Sequence, residues 1–284
     1  MRTALFFSAV AALVLAAAFA GSAALAGKPT SQTVTRADLR GVNFVENCRF
    51  SHRAPDDPIV FPGQPGASHD HSFVGNRTTD AFSTFGSLRS GQTSCRRDAD
   101  TAAYWVPTLY QGTTAVLPMG ATIYYRRATM AEVTSFPNGL RMIAGSAIAM
   151  DPQGRRITFW NCGIAGGFAP SSAVPTCQQA RGSFLRLHVR FPSCWDGESL
   201  DSADHQSHMA YAMRGECPST HPVAVPEISL IYRYPTRGGE GFSLASGGQF
   251  SAHADFLNAW NPGQLKKLVD GCLNALVHCG RADP

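Results

Sequence analysis

The chain has 284 residues, 15% charged and 44% hydrophobic, with 24 basic against 20 acidic side chains. That apolar share supports a sizeable core and excludes wholesale disorder, while sparse charge with 27 Gly and 18 Pro excludes a long coiled coil. No block of like charge occurs, so the basic stripe that a nucleic-acid partner needs is missing from the sequence.

Arg2 is the only charge ahead of an apolar run from Ala4 to Ala20, which the small residues of Ala24-Leu25-Ala26 close. A positive start, an apolar middle and a small-residue end form a secretory signal, so residues 1–26 are expected to be removed and the protein secreted. No other run approaches the ~20 apolar residues of a membrane span, so no stable span is expected after cleavage. Residues 27–40 are polar and read as a flexible lead-in, and residues 41–284 as a single globular domain.

The body reads as strands. Tyr104–Tyr110 is aromatic and β-branched, with Pro107 suggesting an edge or a bulge. Ala121–Tyr125 follows the turn-like Pro118-Met119-Gly120, and Arg155–Trp160 follows Asp151-Pro152-Gln153-Gly154. Phe184–Phe191 alternates with period two, which puts His188 on a wet face. Ile228–Tyr234 is a further strand. Asn261 as N-cap with Pro262 in the first turn opens one helix over 262–277, its apolar face formed by Leu265, Leu268, Val269, Cys272, Leu273 and Leu276. Short strands between turn signals predict an all-β fold, a β-sandwich or jelly-roll-like domain with long disulfide-stapled loops and one C-terminal helix.

All eight cysteines lie beyond the signal, and an even count in an exported chain predicts disulfides. No C-x-x-C pair favours a zinc–thiolate cluster. Neighbour pairing is the simplest connectivity: Cys48–Cys95, Cys162–Cys177, Cys194–Cys217 and Cys272–Cys279. The last pair carries a condition. Seven helical residues rise about 10 Å, beyond the ~7 Å Cα limit of a disulfide, so the helix must end between them or Cys272 has another partner.

Most histidines fall in short polar clusters: Ser68-His69-Asp70-His71, Asp204-His205-Gln206-Ser207-His208, Ser219-Thr220-His221-Pro222 and His253-Ala254-Asp255. On a strand, two residues two apart share a face, which suits two imidazoles on one ion. His69, His71, His208 and His253 are therefore candidate metal ligands, with zinc or copper as the candidate ion. The same region offers a metal-free chemistry. His69, His71, Asp196, Asp204, His205, His208 and Asp255 are candidate catalytic groups, with Glu227 a further carboxylate for glycoside hydrolysis. Trp195, Tyr211, His221 and Trp260 are candidate substrate contacts, since rings beside such clusters stack on sugars. No G-x-S-x-G elbow, P-loop or dinucleotide fingerprint is present.

Several stretches together resemble a secreted family, domain of unknown function nineteen ninety-six. They are Asp57-Pro58-Ile59-Val60 with Ser68-His69-Asp70-His71, and Tyr104-Trp105-Val106-Pro107-Thr108-Leu109-Tyr110. Next come Phe136-Pro137-Asn138-Gly139-Leu140-Arg141-Met142-Ile143-Ala144-Gly145, with Leu140 where the family usually has Phe, and Phe191-Pro192-Ser193-Cys194-Trp195-Asp196-Gly197 with Asp204–His208. Cys217–Pro222 and His253–Trp260 complete the match, with Ala259 where the family commonly has Gly. The resemblance runs from about residue 42 to about residue 272. It implies export, and its members' frequent pairing with carbohydrate-binding modules implies a cell-wall or polysaccharide setting. The expected function is thus binding of, or action on, extracellular polysaccharide through a His/Asp-lined pocket, as a glycoside hydrolase-like or metal-assisted hydrolase. The alternatives are a zinc- or copper-binding secreted protein and a non-catalytic structural or adhesive surface protein. If the clusters form one site, the fold must bring His69 or His71 beside His208 or Asp255.

Overall fold

A computed structural model of the chain describes residues 33–163 and 169–281; the expected signal and residues 27–32 of the lead-in lie outside them. In chain order the first strands are β1 (Asn43–Ala54), β2 (His71–Gly75), β3 (Ala103–Pro107), β4 (Leu109–Gln111), β5 (Thr114–Val116) and β6 (Gly120–Arg126), with the short helix α1 (Phe85–Arg89) after β2. Then come β7 (Arg141–Gly145), β8 (Thr158–Asn161), β9 (Arg186–Arg190), β10 (Cys194–Trp195), β11 (Met209–Ala210) and β12 (Val223–Ala224). The last are β13 (Glu227–Arg233), β14 (Phe242–Leu244), β15 (His253–Leu257), the helix α2 (Pro262–Leu268) and β16 (His278–Gly280). The all-β class with one C-terminal helix and stapled loops is the observed one.

Strand β1 is long because it serves two layers. Its first half pairs antiparallel with β6, its second half with β2, and the register of the second pairing shifts between Phe50 and His52. One layer continues β6-β13-β9-β8 and the other β2-β3-β15-β7, so a single sheet folds over at β1. A bulge there increases strand twist, which helps one strand leave one layer and enter the other. The two layers share one core. Tyr104, Val74 and Phe256 from one meet Ile123, Leu187 and Tyr232 from the other, all fully buried, and the Tyr232 hydroxyl crosses to the Tyr104 carbonyl at 3.0 Å. At the centre Trp260 donates its indole N–H to the Tyr125 hydroxyl at 2.8 Å, and Tyr104 donates to Asp100 at 2.9 Å. A buried aromatic of this kind contributes roughly 2–3 kcal/mol, provided its polar end is paired.

The layer β2-β3-β15 has a second covered face. Phe73, Trp105 and Leu257 point away from the shared core and pack with Ile59 and Leu88 under the 55–70 loop and α1. Both faces are dry, so these strands lack the wet alternation of a one-sided sheet.

Two sequence expectations change. His188 is buried rather than wet: Phe159 on the neighbouring strand stacks on its ring, centroids 4.2 Å apart, and Asn161 meets Nε2 at 3.1 Å. The C-terminal helix is shorter than expected. Asn261 caps it by accepting from the Gln264 amide, but after Leu268 the winding loosens to a π-helix over Val269–Asn274. Leu276 then adopts φ 57°, which turns the chain into β16 beside β1. That reversal meets the condition on the last disulfide, whose Cα atoms are 5.8 Å apart. All four bridges follow the neighbour pairing. No helix among the described residues is long and apolar enough to cross a membrane.

Candidate functional site

The outer face of the β2-β3-β15-β7 layer carries the chemistry. Along β2 and β15 the period of two puts His71 on the face of Phe73, and His253 and Asp255 on the face of Leu257. The register brings them together, since Phe73 and Asp255 both lie opposite Trp105, one on each side of β3. The covering loop adds His69 just ahead of β2 and Asp57 at its start. Gly145 stands opposite His253 on β7, where a Cβ would fall 2.6 Å from the Ala252 carbonyl, so only glycine lets β7 approach this closely.

One ligand atom each from His69, His71 and His253 lies within 4.8 Å of the others, and the same holds for Asp57, His71 and Asp255. Ring centroids are 4.3 Å apart for His69–His71 and 5.1 Å for His69–His253. The tautomers follow from the neighbours. Nδ1 of His71 meets the Asp56 carbonyl at 3.0 Å, and Nδ1 of His253 meets the Ser251 carbonyl at 2.9 Å. A carbonyl only accepts, so both Nδ1 atoms carry the proton and each Nε2 presents a lone pair. Nε2 of His71, Nε2 of His69 and both Asp255 oxygens are buried without any hydrogen-bond partner. Nε2 of His253 lies 3.8 Å from Asp255 Oδ2.

The electrostatics match this arrangement. Burial lowers His69 and lowers His71 well below the usual imidazole value, with the neighbouring imidazoles adding to the His71 effect; burial brings His253 to about 4. All three imidazoles are thus neutral at pH 7 and able to coordinate. Burial pushes Asp255 well above the carboxylate range, and Asp57 beside it adds to the push. Burial also raises Asp57, against the Ile59 and Val60 amides that donate to its Oδ1. Lone pairs and carboxylates converging in a dry site are costly unless a cation compensates them.

The other nominated residues lie outside this cluster. His208 is buried with both ring nitrogens engaged, Nδ1 by the Ser202 hydroxyl at 2.8 Å and Nε2 by the Arg141 carbonyl at 2.7 Å. Its segment runs along the open edge of β7, where the Arg141 amide also donates to the Leu200 carbonyl and Gln206 to the Gly145 carbonyl. An unpaired strand edge must be covered, and this loop covers it. His205 pairs with Asp201 at 2.9 Å, in positive φ, close enough to Asp57 to favour its charged form. Asp196 accepts from the amides of Glu198 and Ser199, and Asp204 from those of Gln206 and Ser207, so both act as turn caps. Amide hydrogen bonds hold the exposed Asp204 below the usual carboxylate value. His221 meets the Ser207 carbonyl, and Trp195 donates to the Ser199 carbonyl. Trp260 is wholly buried in the core, which removes it as a surface platform. Tyr211 lines a cavity elsewhere.

Asp57 was not among the nominated residues, although it opens the Asp57-Pro58-Ile59-Val60 stretch of the resemblance. A carboxylate shortly before a His-x-His pair was the available signal.

The family described as domain of unknown function (DUF1996) matches residues 57–260. The chain belongs to that family. Its span starts at Asp57 of the cluster, includes His69, His71, His253 and Asp255, and ends at Trp260. Among curated proteins and among solved structures, nothing matches the chain.

Proposed function

We propose that this family member is an exported metal-binding protein whose ion is held by His69, His71 and His253, with Asp255 and Asp57 as the anionic partners. The observation that carries the reading is the convergence of buried donors that have no protein hydrogen-bond partner. The Nδ1–H to carbonyl bonds of His71 and His253 supply the orientation that metal-bound imidazoles characteristically have. Mixed nitrogen and oxygen donors suit zinc or copper among first-row ions. A bound ion of this type supplies Lewis acidity to a substrate oxygen or a bound water. His69 is the half-buried member, and access to the ion is from its side. Export belongs to the proposal and rests on the N-terminal pattern and the four disulfides. The metal reading ranks above the glycosidase reading because Asp196 and Asp204 are engaged in turns.

The test is elemental analysis of protein purified without a His-tag, stripped with chelator and refilled with zinc or copper. The expected result is about one ion per chain, with His71→Ala and His253→Ala far below that. A content far below one ion per chain that refilling leaves unchanged overturns the proposal.

A further inference from the structure

The far end of β1 from the His/Asp cluster opens onto a different feature. Ala54 pairs with His71, whereas Asn43, 11 residues earlier, lines a cavity of about 730 Å³. At ~3.3 Å per residue, up to roughly 35 Å of strand separates the two. Antiparallel register builds the cavity wall: Asn43 and Glu227 both stand opposite Arg126, and Arg190 stands opposite Ser229 on the next strand.

Arg36, Arg40, Arg126, Arg156, Arg190 and Arg214 line this cavity, against the single carboxylate of Glu227. None of the six has a side-chain hydrogen bond or ion pair among the described residues. Arg127 also lines it, but its guanidinium donates to the carbonyls of Thr129 and Met130. Arg126 lies over the Tyr124 ring at 4.9 Å and Arg190 over the Phe159 ring at 5.5 Å, so aromatic faces support both guanidinium planes. Nε of Arg190 is buried without a partner. The whole chain has a net charge of only +4, so the basic excess is concentrated here.

Two further features fit a binding cavity. Met213 and Glu216 bridge across Arg214 and Gly215, both at positive φ, in a two-residue turn whose first position normally takes Asn, Asp or Gly. An arginine held in that conformation keeps its charge at the cavity wall. Tyr211 donates its hydroxyl to the Arg190 carbonyl at 2.9 Å, which fixes a half-exposed ring beside the arginines.

We propose that this cavity binds a compact polyanion, a small molecule or oligosaccharide carrying several carboxylate, sulfate or phosphate groups. Guanidinium forks match all three oxyanions in a bidentate manner, and the volume falls within the range of small-ligand sites. Six arginines against one carboxylate in a concave wall focus a positive potential that an anionic ligand relieves.

Titration calorimetry on the secreted protein tests this with trigalacturonate, a sulfated disaccharide and tripolyphosphate, and with cellotriose as the neutral control. At least one anionic probe is expected to bind at least about tenfold tighter than cellotriose, weakening as salt rises from about 50 to about 200 mM. The tightest of the three identifies the acid group. The double variant Arg156→Glu/Arg214→Glu changes two exposed positions away from the core, and is expected to weaken that probe at least about tenfold. The proposal is overturned if no anionic probe exceeds cellotriose, or if the double variant binds as the native chain does.

Discussion

Two histidine-rich regions that look alike in sequence behave differently in the fold. The 69–71 and 253–255 segments bring imidazoles to one covered face of the two strands that flank β3, where carbonyls engage only Nδ1 of His71 and His253. The 204–221 segment also carries three His, beside Asp204, yet both ring nitrogens of His208 and of His221 are engaged by neighbours. The difference lies in geometry rather than composition. A loop following an open strand edge is surrounded by carbonyls and hydroxyls that need donors. A strand face whose ladder is already paired leaves Nε2 facing other side chains. A His-x-x-His or His-x-His pattern therefore becomes a ligand set only where the backbone around it is already satisfied.

The sharpest way to break the comparison is substitution on each side of it. His71→Ala or His253→Ala should weaken zinc or copper binding by more than about 100-fold, while His208→Ala and His221→Ala retain it; competition against a chelator of known affinity reads both. A stability-based probe comes from His188, a third environment, where burial first and then the charges of Arg186, Arg190 and Arg126 bring the ring to about 3. The folded ring stays neutral while the unfolded one protonates near 6.5, so stability present above that pH is lost as pH falls towards 3. Between pH 6.5 and 3.5 the loss is on the order of 4 kcal/mol, and His188→Gln, which keeps a donor for Asn161, should remove most of that slope in urea melts. His208→Ala should lower stability by about 2–3 kcal/mol, because it leaves the half-buried Arg141 carbonyl without a donor and opens the β7 edge. His221→Ala should change unfolding by less than about 0.5 kcal/mol, as its hydrogen bonds lie at the surface.

Much of the fold was legible because its signals are local. Alternation at 184–191, the Asn261-Pro262 cap and the spacing of the cysteines each report on a few neighbouring residues. The His253-Ala254-Asp255 pair was legible for the same reason, since a period of two fixes a shared face. His188 was misplaced because its burial depends on Phe159 of the partner strand, which alternation within one strand does not report. Asp57 went unnominated because its role comes from a loop folding over the sheet. The arginine cavity left no sequence signal: residues 36, 40, 126, 156, 190 and 214 are scattered, and only antiparallel register gathers them. Reading charge as runs along the chain detects helices and tails, not walls assembled from strand ends.

The proposed function requires one ion at one place. The most direct measurement is a crystal structure of the zinc- or copper-refilled protein, with diffraction recorded on both sides of the metal's absorption edge. The account predicts a single strong anomalous peak bounded by His69, His71, His253 and Asp255, at about 2.0–2.2 Å from the coordinating nitrogens and oxygens. A map with no peak there, with His69 and His71 Nε2 and the Asp255 oxygens hydrogen-bonded to ordered water instead, contradicts it.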